Sequence, residues 1–278
     1  MTGSAQLRKY EAFKALHERP GAFVIPNPWN AGTARILEAI GFEALATTSA
    51  GHAFAIGLRD SATALTRFDI LKNAKEIVEA TGLPVSADLE DGFGTRPEAC
   101  AETIRLACDT GLVGGSIEDA TGDPANPIHN FTLSVERVAA AAEQAATLPF
   151  LLTARAENHI YGRPDLDDTI RRLQAFEKAG ADVLYAPGLP SLDAIRTVCA
   201  SLTKPVNVLM GLSGPTWSVA ELEEAGAGRI SVGGSFARAA LGAFVRAAKE
   251  VKDHGTFGYA ADAIPDREAA AFMAEVKR

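Results

Sequence analysis

Eight short apolar runs, spaced by amphipathic stretches of helical length, restrict the possible folds of this chain more than any other feature. They lie at residues 22–25 (AFVI), 44–48 (ALATT), 84–88, 113–117, 150–154, 182–186 (DVLYA), 205–210 (PVNVLM) and 229–233 (RISVG). Runs that are apolar throughout, rather than alternating, belong to strands buried on both faces, as in a parallel sheet covered by helices. The intervening stretches supply those helices. Residues 165–179, DLDDTIRRLQAFEKA, open on acidic side chains and stop at Gly180, and 97–109 and 218–225 repeat the pattern before Gly111 and Gly226. The order helix, Ala-Gly, strand recurs at IGFEALATT, AGADVLYAP and AGAGRISVG. Eight such units point to an α/β fold, a (β/α)₈ TIM barrel, in preference to an open doubly wound sheet.

Leu7, Tyr10, Phe13 and Leu16 recur at helical spacing and predict a helix ahead of the first strand. A Gly- and His-containing segment, 253–263, leads to a last predicted helix near 265–277, a candidate contact with a neighbouring subunit. No linker or low-complexity segment divides the chain, so residues 1–278 read as one domain. At 47% hydrophobic residues the chain can build a sizeable core. The net charge is −8 with no basic patch, so nucleic acid is not an expected partner. An acidic chain that takes an anionic substrate needs local relief, which a bound divalent cation would give.

The cysteines, Cys100, Cys108 and Cys199, are odd in number, fall in predicted helices and form no C-x-x-C pair. Neither a zinc site nor a disulfide framework is expected, and packed, reduced thiols are the reading. The N-terminus has no apolar signal core and no run of eighteen apolar residues exists, so no membrane span is expected and the location reads as cytoplasmic.

Three of the strands break abruptly into charge: PVSADLEDGFG (84–94), VGGSIED (113–119) and FLLTARAE (150–157). In a barrel, residues at strand C-terminal ends face the catalytic mouth. The mouth would then hold Asn27 and Trp29 after the first strand and Thr48, Ser49, Ala50 and Gly51 after the second. The next three strands add Asp88, Glu90, Glu118, Asp119, Arg155 and Glu157. Asp88 and Glu90 are two apart, so both can face one side, and Glu118 comes from the adjacent strand. Three converging carboxylates repel one another unless a divalent cation or raised pKa values accompany them. Hard oxygen donors of this kind suit Mg²⁺ or Mn²⁺.

Each of these residues also has a plainer reading. Asp91 and Asp119 fit ion pairs or helix caps. The Arg155 guanidinium is a fixed fork for a substrate carboxylate, or else a salt-bridge partner of Glu157 or Glu118. The polar stretch 119–134, DATGDPANPIHNFTLS, is a candidate lid from which Asn126, His129 and Asn130 would reach inward. His52 and His129 read equally as ordinary loop histidines.

Taken in order, the segments IPNPWNAGTARILEAIGFEALATTSAG, GLRD, SADLEDGFG, SIED, TARAE, AFEKAGADVLYAPG and RISVGGSFARAA resemble the isocitrate lyase/phosphoenolpyruvate mutase superfamily. The resemblance implies a (β/α)₈ barrel with its eighth helix exchanged between subunits of a dimer or tetramer. It implies Mg²⁺ (or Mn²⁺) at Asp88 and Glu90, with Glu in place of the family's second Asp. Glu118 would be a third, water-mediated partner, and Asp60 of GLRD a further acid of the metal site. Ser49, Ala50 and Gly51 would hold the substrate carboxylate, Arg155 its other end, and Trp29 and Asn30 would flank the ligand.

Departures from the family pattern narrow the chemistry. Isocitrate and methylisocitrate lyases carry a K-[KR]-C-G-H segment after the fourth strand, where this chain reads TGDPANPIHN, with neither Cys nor Lys. Of the Lys and Asn that mutases carry there, only Asn126 has a match. The implied activity is a Mg²⁺-dependent lyase or decarboxylase that cleaves a C–C bond in a small 2-oxo or 2-hydroxy dicarboxylate through a pyruvate enolate. Asn126, His129 and Arg155 are its candidate catalytic residues, and His129 or Tyr161 would serve if a base were needed. Phosphonopyruvate C–P hydrolysis or rearrangement is one alternative, and a non-catalytic oxo-acid-binding barrel is another.

Overall fold

The computed structural model describes residues 3–60, 64–211 and 214–274. Eight strands form one parallel sheet: β1 (Phe23–Ile25), β2 (Leu45–Ala46), β3 (Val85–Asp88), β4 (Gly114–Glu118), β5 (Leu151–Arg155), β6 (Val183–Tyr185), β7 (Val206–Leu209) and β8 (Arg229–Ser231). Among the described residues their order, β1-β8-β7-β6-β5-β4-β3-β2, leaves only the β1/β2 seam without a ladder. The seam is drawn together by Ala46 N donating to Pro26 O (3.0 Å) and by Asn27 Nδ2 donating to Thr47 O (2.9 Å). Asn27 Oδ1 also accepts from Val232 N and Gly233 N, both at 2.9 Å. One buried amide thus ties the ends of β1, β2 and β8 into a nearly closed (β/α)₈ barrel.

The helices are α1 (Gly3–Glu18), α2 (Ala31–Ile40), α3 (Ser49–Ala55), α4 (Arg67–Ala80), α5 (Pro97–Asp109), α6 (Phe131–Ala145), α7 (Leu166–Lys178), α8 (Leu192–Ala200), α9 (Val219–Glu224), α10 (Ser235–His254) and α11 (Asp266–Phe272). Caps set where they start. Asp165 accepts from Asp168 N, so α7 begins one residue inside the expected 165–179, and Ser218 with Glu221 forms a capping box ahead of α9. The expected strand 44–48 shrinks to two residues for a similar reason. Thr48 is the N-cap of α3, and Thr47 Oγ1 accepts from Asp88 N at 3.1 Å.

Helix α1 closes the barrel at the N-terminal ends of its strands. Phe13 and Leu16 form a core there with Phe23, Ile25, Ala44, Val113 and Leu151. The His17 ring stands edge-on to Phe13 and Phe23. At the other extreme of the chain, α10 leaves the barrel. Of its twenty residues only Ala237 is buried, and Leu241, Phe244 and Val245 are exposed. Helix α11 lies against α2, where Arg35 Nη1 donates to Met273 O (2.7 Å). The expected helix 265–277 is seen as Asp266–Phe272, and positions 275–277 lie outside the described residues. Among the described residues no helix is long and apolar enough to cross a membrane, and all three cysteines are free thiols.

Candidate active site

A cavity of about 350 Å³ opens at the C-terminal ends of the strands and descends into the barrel. Ligand pockets run from about 300 to 1,000 Å³, so it is of ligand size. It is lined by Asp60, Asp88, Glu90, Asp91, Glu118 and Glu157, against two cations, Arg155 and Arg229. Strand alternation explains the grouping: Asp88, Glu118 and Arg155 close β3, β4 and β5 and face inward together.

Arg155 organises these acids. Its Nη1 lies 3.1 Å from Asp88 Oδ1 and 3.2 Å from Glu118 Oε2, and its Nε donates to Glu157 Oε1 at 2.8 Å. The guanidinium stacks 4.8 Å above the Tyr185 ring. The salt-bridge reading of Arg155 therefore applies, and only Nη2 is left without a hydrogen bond among the described residues. Glu157, 1% exposed, is itself fixed by its backbone N–H donating to Asp119 Oδ1 (2.8 Å). Asp119 also meets Arg172 Nη1 at 2.9 Å, so it is a buried structural ion pair. Asp91 caps its own turn by accepting from Phe93 N (2.8 Å).

One guanidinium cannot neutralise this set. Burial pushes the Glu118 carboxyl well above the ordinary range, Arg155 opposing, and the Glu157 carboxyl is also raised by burial. Glu90 is pushed up to about 8 by burial and then by Asp88, Asp91 and Asp60. Asp60, at the rim, is raised by partial burial and by Asp88. The Tyr161 phenol, over the cavity, is pushed up to about 12 by burial and by Glu118. Glu90 also sits at φ 48°, a backbone region that a non-glycine residue occupies at a cost. Arg137, on α6, holds this turn through the carbonyls of Asp91, Gly94 and Thr95.

Among the described residues no three acidic, imidazole or thiol groups already converge as a metal cage. Arg155 draws Asp88 and Glu118 onto itself instead. The donor set nevertheless suits a hydrated Mg²⁺, which keeps several waters and needs only one or two carboxylates. The excess of ionisable carboxyls over cations is the feature such an ion would relieve.

Of the expected site residues, Asn27, Thr48, Ser49, Ala50, Asp60, Asp88, Glu90, Glu118, Arg155, Glu157 and Tyr161 line the cavity. Ser49 Oγ donates to Asp88 Oδ2 at 3.0 Å, so it orients that carboxylate. Trp29, Asn30, Gly51, Asp119, Asn126, His129 and Asn130 are not part of its lining. Asn30 is the N-cap of α2, its Oδ1 accepting from Thr33 N (2.9 Å), and the Trp29 carbonyl accepts from Asn73 Nδ2 (3.0 Å). Gly51 is a packing glycine, because a Cβ there would meet Thr48 Cγ2 at 2.7 Å and Trp29 Cβ at 3.0 Å.

Asn126 and His129 need the larger correction. Residues 120 and 128 form an antiparallel bridge, so the 119–134 segment folds back on itself. Asn126 is left exposed, bonded to Asp123, and His129 is buried away from the cavity with its backbone bonded to Asp119 and Arg172. Sequence reasoning missed Tyr185, Asn207, Arg229 and Ser231 in the cavity wall. Their available signal was a polar or charged side chain inside an otherwise apolar run.

The phosphoenolpyruvate phosphomutase family model matches residues 13–252. A 2-methylisocitrate lyase of Shewanella oneidensis is 30% identical over 236 residues, 82% of this chain and 78% of that protein. Among solved structures, a candidate lyase/mutase from Burkholderia cenocepacia J2315 is 56% identical with a TM-score of 0.95, covering 98% of both chains. A 2,3-dimethylmalate lyase is 26% identical with a TM-score of 0.85, covering 96% of this chain and 95% of its own. With a match across most of its length, a nearly closed barrel and charged strand ends in the expected order, this chain belongs to the phosphoenolpyruvate phosphomutase family, in the superfamily of mutase- and isocitrate-lyase-type enzymes.

Proposed function

We propose that the protein is a divalent-metal-dependent carbon–carbon lyase that cleaves either a small 2-oxo dicarboxylate, leaving a pyruvate enolate, or a 2-hydroxy dicarboxylate, whose hydroxyl carbon becomes the carbonyl of a 2-oxo acid while the bonding pair leaves on the other fragment. The observation that carries this reading is the charge of the cavity, where among the described residues six carboxylates stand against two guanidiniums and Glu90 is pushed up to about 8. The relatives named for lyase reactions on 2-methylisocitrate and 2,3-dimethylmalate support it. Mg²⁺ or Mn²⁺ would be held by Asp88 and Glu90, with Asp60 and Glu118 acting through water. Such an ion supplies electrophilic stabilisation of the negative charge that develops on the 2-oxo group.

The chain's own residues do the rest. Ser49 keeps Asp88 oriented, and Arg155 offers Nη2 to a substrate oxygen while Nη1 bridges Asp88 and Glu118. Tyr161 stays protonated at neutral pH and can return a proton to the enolate carbon, but it does not start as a base. Loss of CO₂ needs no base, so decarboxylation asks least of these groups. A cytoplasmic setting and a homo-oligomer belong to the same proposal, with the unpartnered face of α10 packing on a second copy.

The test is pyruvate release from oxaloacetate, 2-methylisocitrate and phosphonopyruvate, each with Mg²⁺ and with EDTA. Mg²⁺-dependent pyruvate from either of the first two, above the spontaneous rate, is expected. Turnover of phosphonopyruvate alone would replace C–C with C–P cleavage, and no turnover of any, with the ligands still binding, would mean an oxo-acid-binding barrel.

A further inference from the structure

We propose that Arg229 makes the floor of the cavity a carboxylate site, receiving the distal carboxylate of a substrate whose 2-oxo or 2-hydroxy end lies at the acidic mouth. The inference builds on the proposed function by fixing which way a dicarboxylate points. Arg229 begins β8, where it pairs with Phe23 of β1 and Asn207 of β7, and faces the cavity at 6% exposure. It lies toward the end of the barrel that α1 closes, whereas Arg155 ends its strand at the mouth.

What distinguishes Arg229 from Arg155, the other guanidinium lining the cavity, is the kind of partner it has. Nε donates to Asn207 Oδ1 at 2.8 Å and Nη2 donates to Thr153 Oγ1 at 3.0 Å. Nη1 lies 3.3 Å from His17 Nε2. His17 Nδ1 is 2.8 Å from the Phe13 carbonyl, which can only accept, so the ring proton sits on Nδ1 and Nε2 is a bare acceptor for Arg229. All three partners are neutral. Of the other buried arginines, Arg155 touches three carboxylates and Arg172 two, Asp119 and Asp168, whereas Arg137, among the described residues, bonds only backbone carbonyls and does not line the cavity. Among the described residues no carboxylate pairs with Arg229. An uncompensated buried charge is costly, and its natural complement is an anion that arrives later.

The surroundings leave room for one. TIM-barrel interiors are commonly filled by bulky branched residues. Here Ala46, Ser86, Ser116 and Ser231 line the descent from the mouth instead. A guanidinium has five N–H donors, and three are committed, so one on each terminal nitrogen remains for a carboxylate. Charge also sorts the two ends of a ligand. The acids at the mouth favour a cation and repel a free carboxylate, while the floor is cationic. Asn207 Nδ2 donates to Ser231 Oγ at 2.9 Å, which fixes the amide so that its oxygen faces Arg229.

The competing role is a bolt that fastens α1 to the barrel through His17. Calorimetric titration in Mg²⁺ with L-malate and with lactate separates the two, because these acids share the 2-hydroxy carboxylate and differ in the distal carboxylate. Wild type should bind malate roughly tenfold or more tightly than lactate, the scale of one charge-assisted contact. Arg229→Gln should erase that preference by weakening malate alone, with an apo melting temperature equal to or above wild type. Equal effects on both acids, or none, would overturn the assignment. If Arg229→Gln does not fold, His17→Leu decides, since it cuts the bolt and keeps the charge: retention of the malate preference supports the site and its loss overturns it. Repeating the titration in EDTA keeps the inference separate from the proposed function. A preference that needs Arg229 but not Mg²⁺ leaves the floor site standing and removes the metal requirement.

Discussion

Replacing Glu90 with Gln should stabilise the metal-free protein, by an amount that grows as the pH rises from 4.5 toward 8. The Glu90 carboxyl is pushed up to about 8 in the fold, against an ordinary value of 4.5. A raised carboxyl favours the folded state when protonated. Its contribution is therefore complete below pH 4.5 and is lost as the pH climbs through 8. At about 1.4 kcal/mol per pH unit, the loss reaches about 4 kcal/mol at pH 8 as an upper limit. Glu90 is partly exposed, and solvent screening reduces this to about 2 kcal/mol.

A glutamine amide cannot ionise, so Glu90→Gln escapes the penalty. Urea unfolding in EDTA at pH 5 and pH 8 reads the difference. The variant should exceed wild type by about 2 kcal/mol at pH 8 and by less than about 0.5 kcal/mol at pH 5. Saturating Mg²⁺ at pH 8 should narrow the gap, because the ion stabilises only the ionised wild type. An offset of the same size at both pH values, or a variant less stable at pH 8, would refute the electrostatic reasoning.

Three further outcomes follow from the same geometry. Arg155→Met leaves Asp88, Glu118 and Glu157 without their shared cation and should cost about 3–5 kcal/mol in urea unfolding at neutral pH. Phe244 on α10 is 69% exposed in the single chain, so Phe244→Glu should shift the light-scattering mass toward that of one chain while the circular dichroism spectrum stays unchanged. Asn126→Ala alters an exposed side chain outside the cavity, so kcat for any substrate found should stay within about twofold.

The barrel was legible because each strand is a continuous apolar run closed by a cap or a glycine, and such runs have few other uses. The acids at the ends of β3 and β4 and the guanidinium at the end of β5 could be read for the same reason, since strand ends define the mouth. Side-chain partners were harder. R-A-E at 155–157 allowed both a substrate clamp and an ion pair, and only the approach of Asp88 and Glu118 from neighbouring strands decides for the ion pair.

Trp29 reads as a mouth residue because it follows β1, and the family resemblance sets Asn30 beside the ligand with it. Yet Asn30 with Thr33 already spelled a helix start, and that local hydrogen bond takes precedence. The 119–134 segment reads in sequence as a lid presenting Asn126 and His129, and neither belongs to the cavity lining. The bridge between Ala120 and Ile128 that turns them away is a pairing with no periodic pattern. Arg229 and Asn207 were visible as polar residues inside the apolar runs RISVG and PVNVLM, and such interruptions deserve the weight given to acids at strand ends.

Pyruvate release by Glu90→Ala, measured beside wild type on oxaloacetate with Mg²⁺, tests the central claim most directly. The expected result is a variant that melts as a folded protein and releases pyruvate no faster than the EDTA control. A Glu90→Ala protein that keeps the full Mg²⁺-dependent rate would contradict the assignment of this carboxylate cluster as a metal-dependent active site.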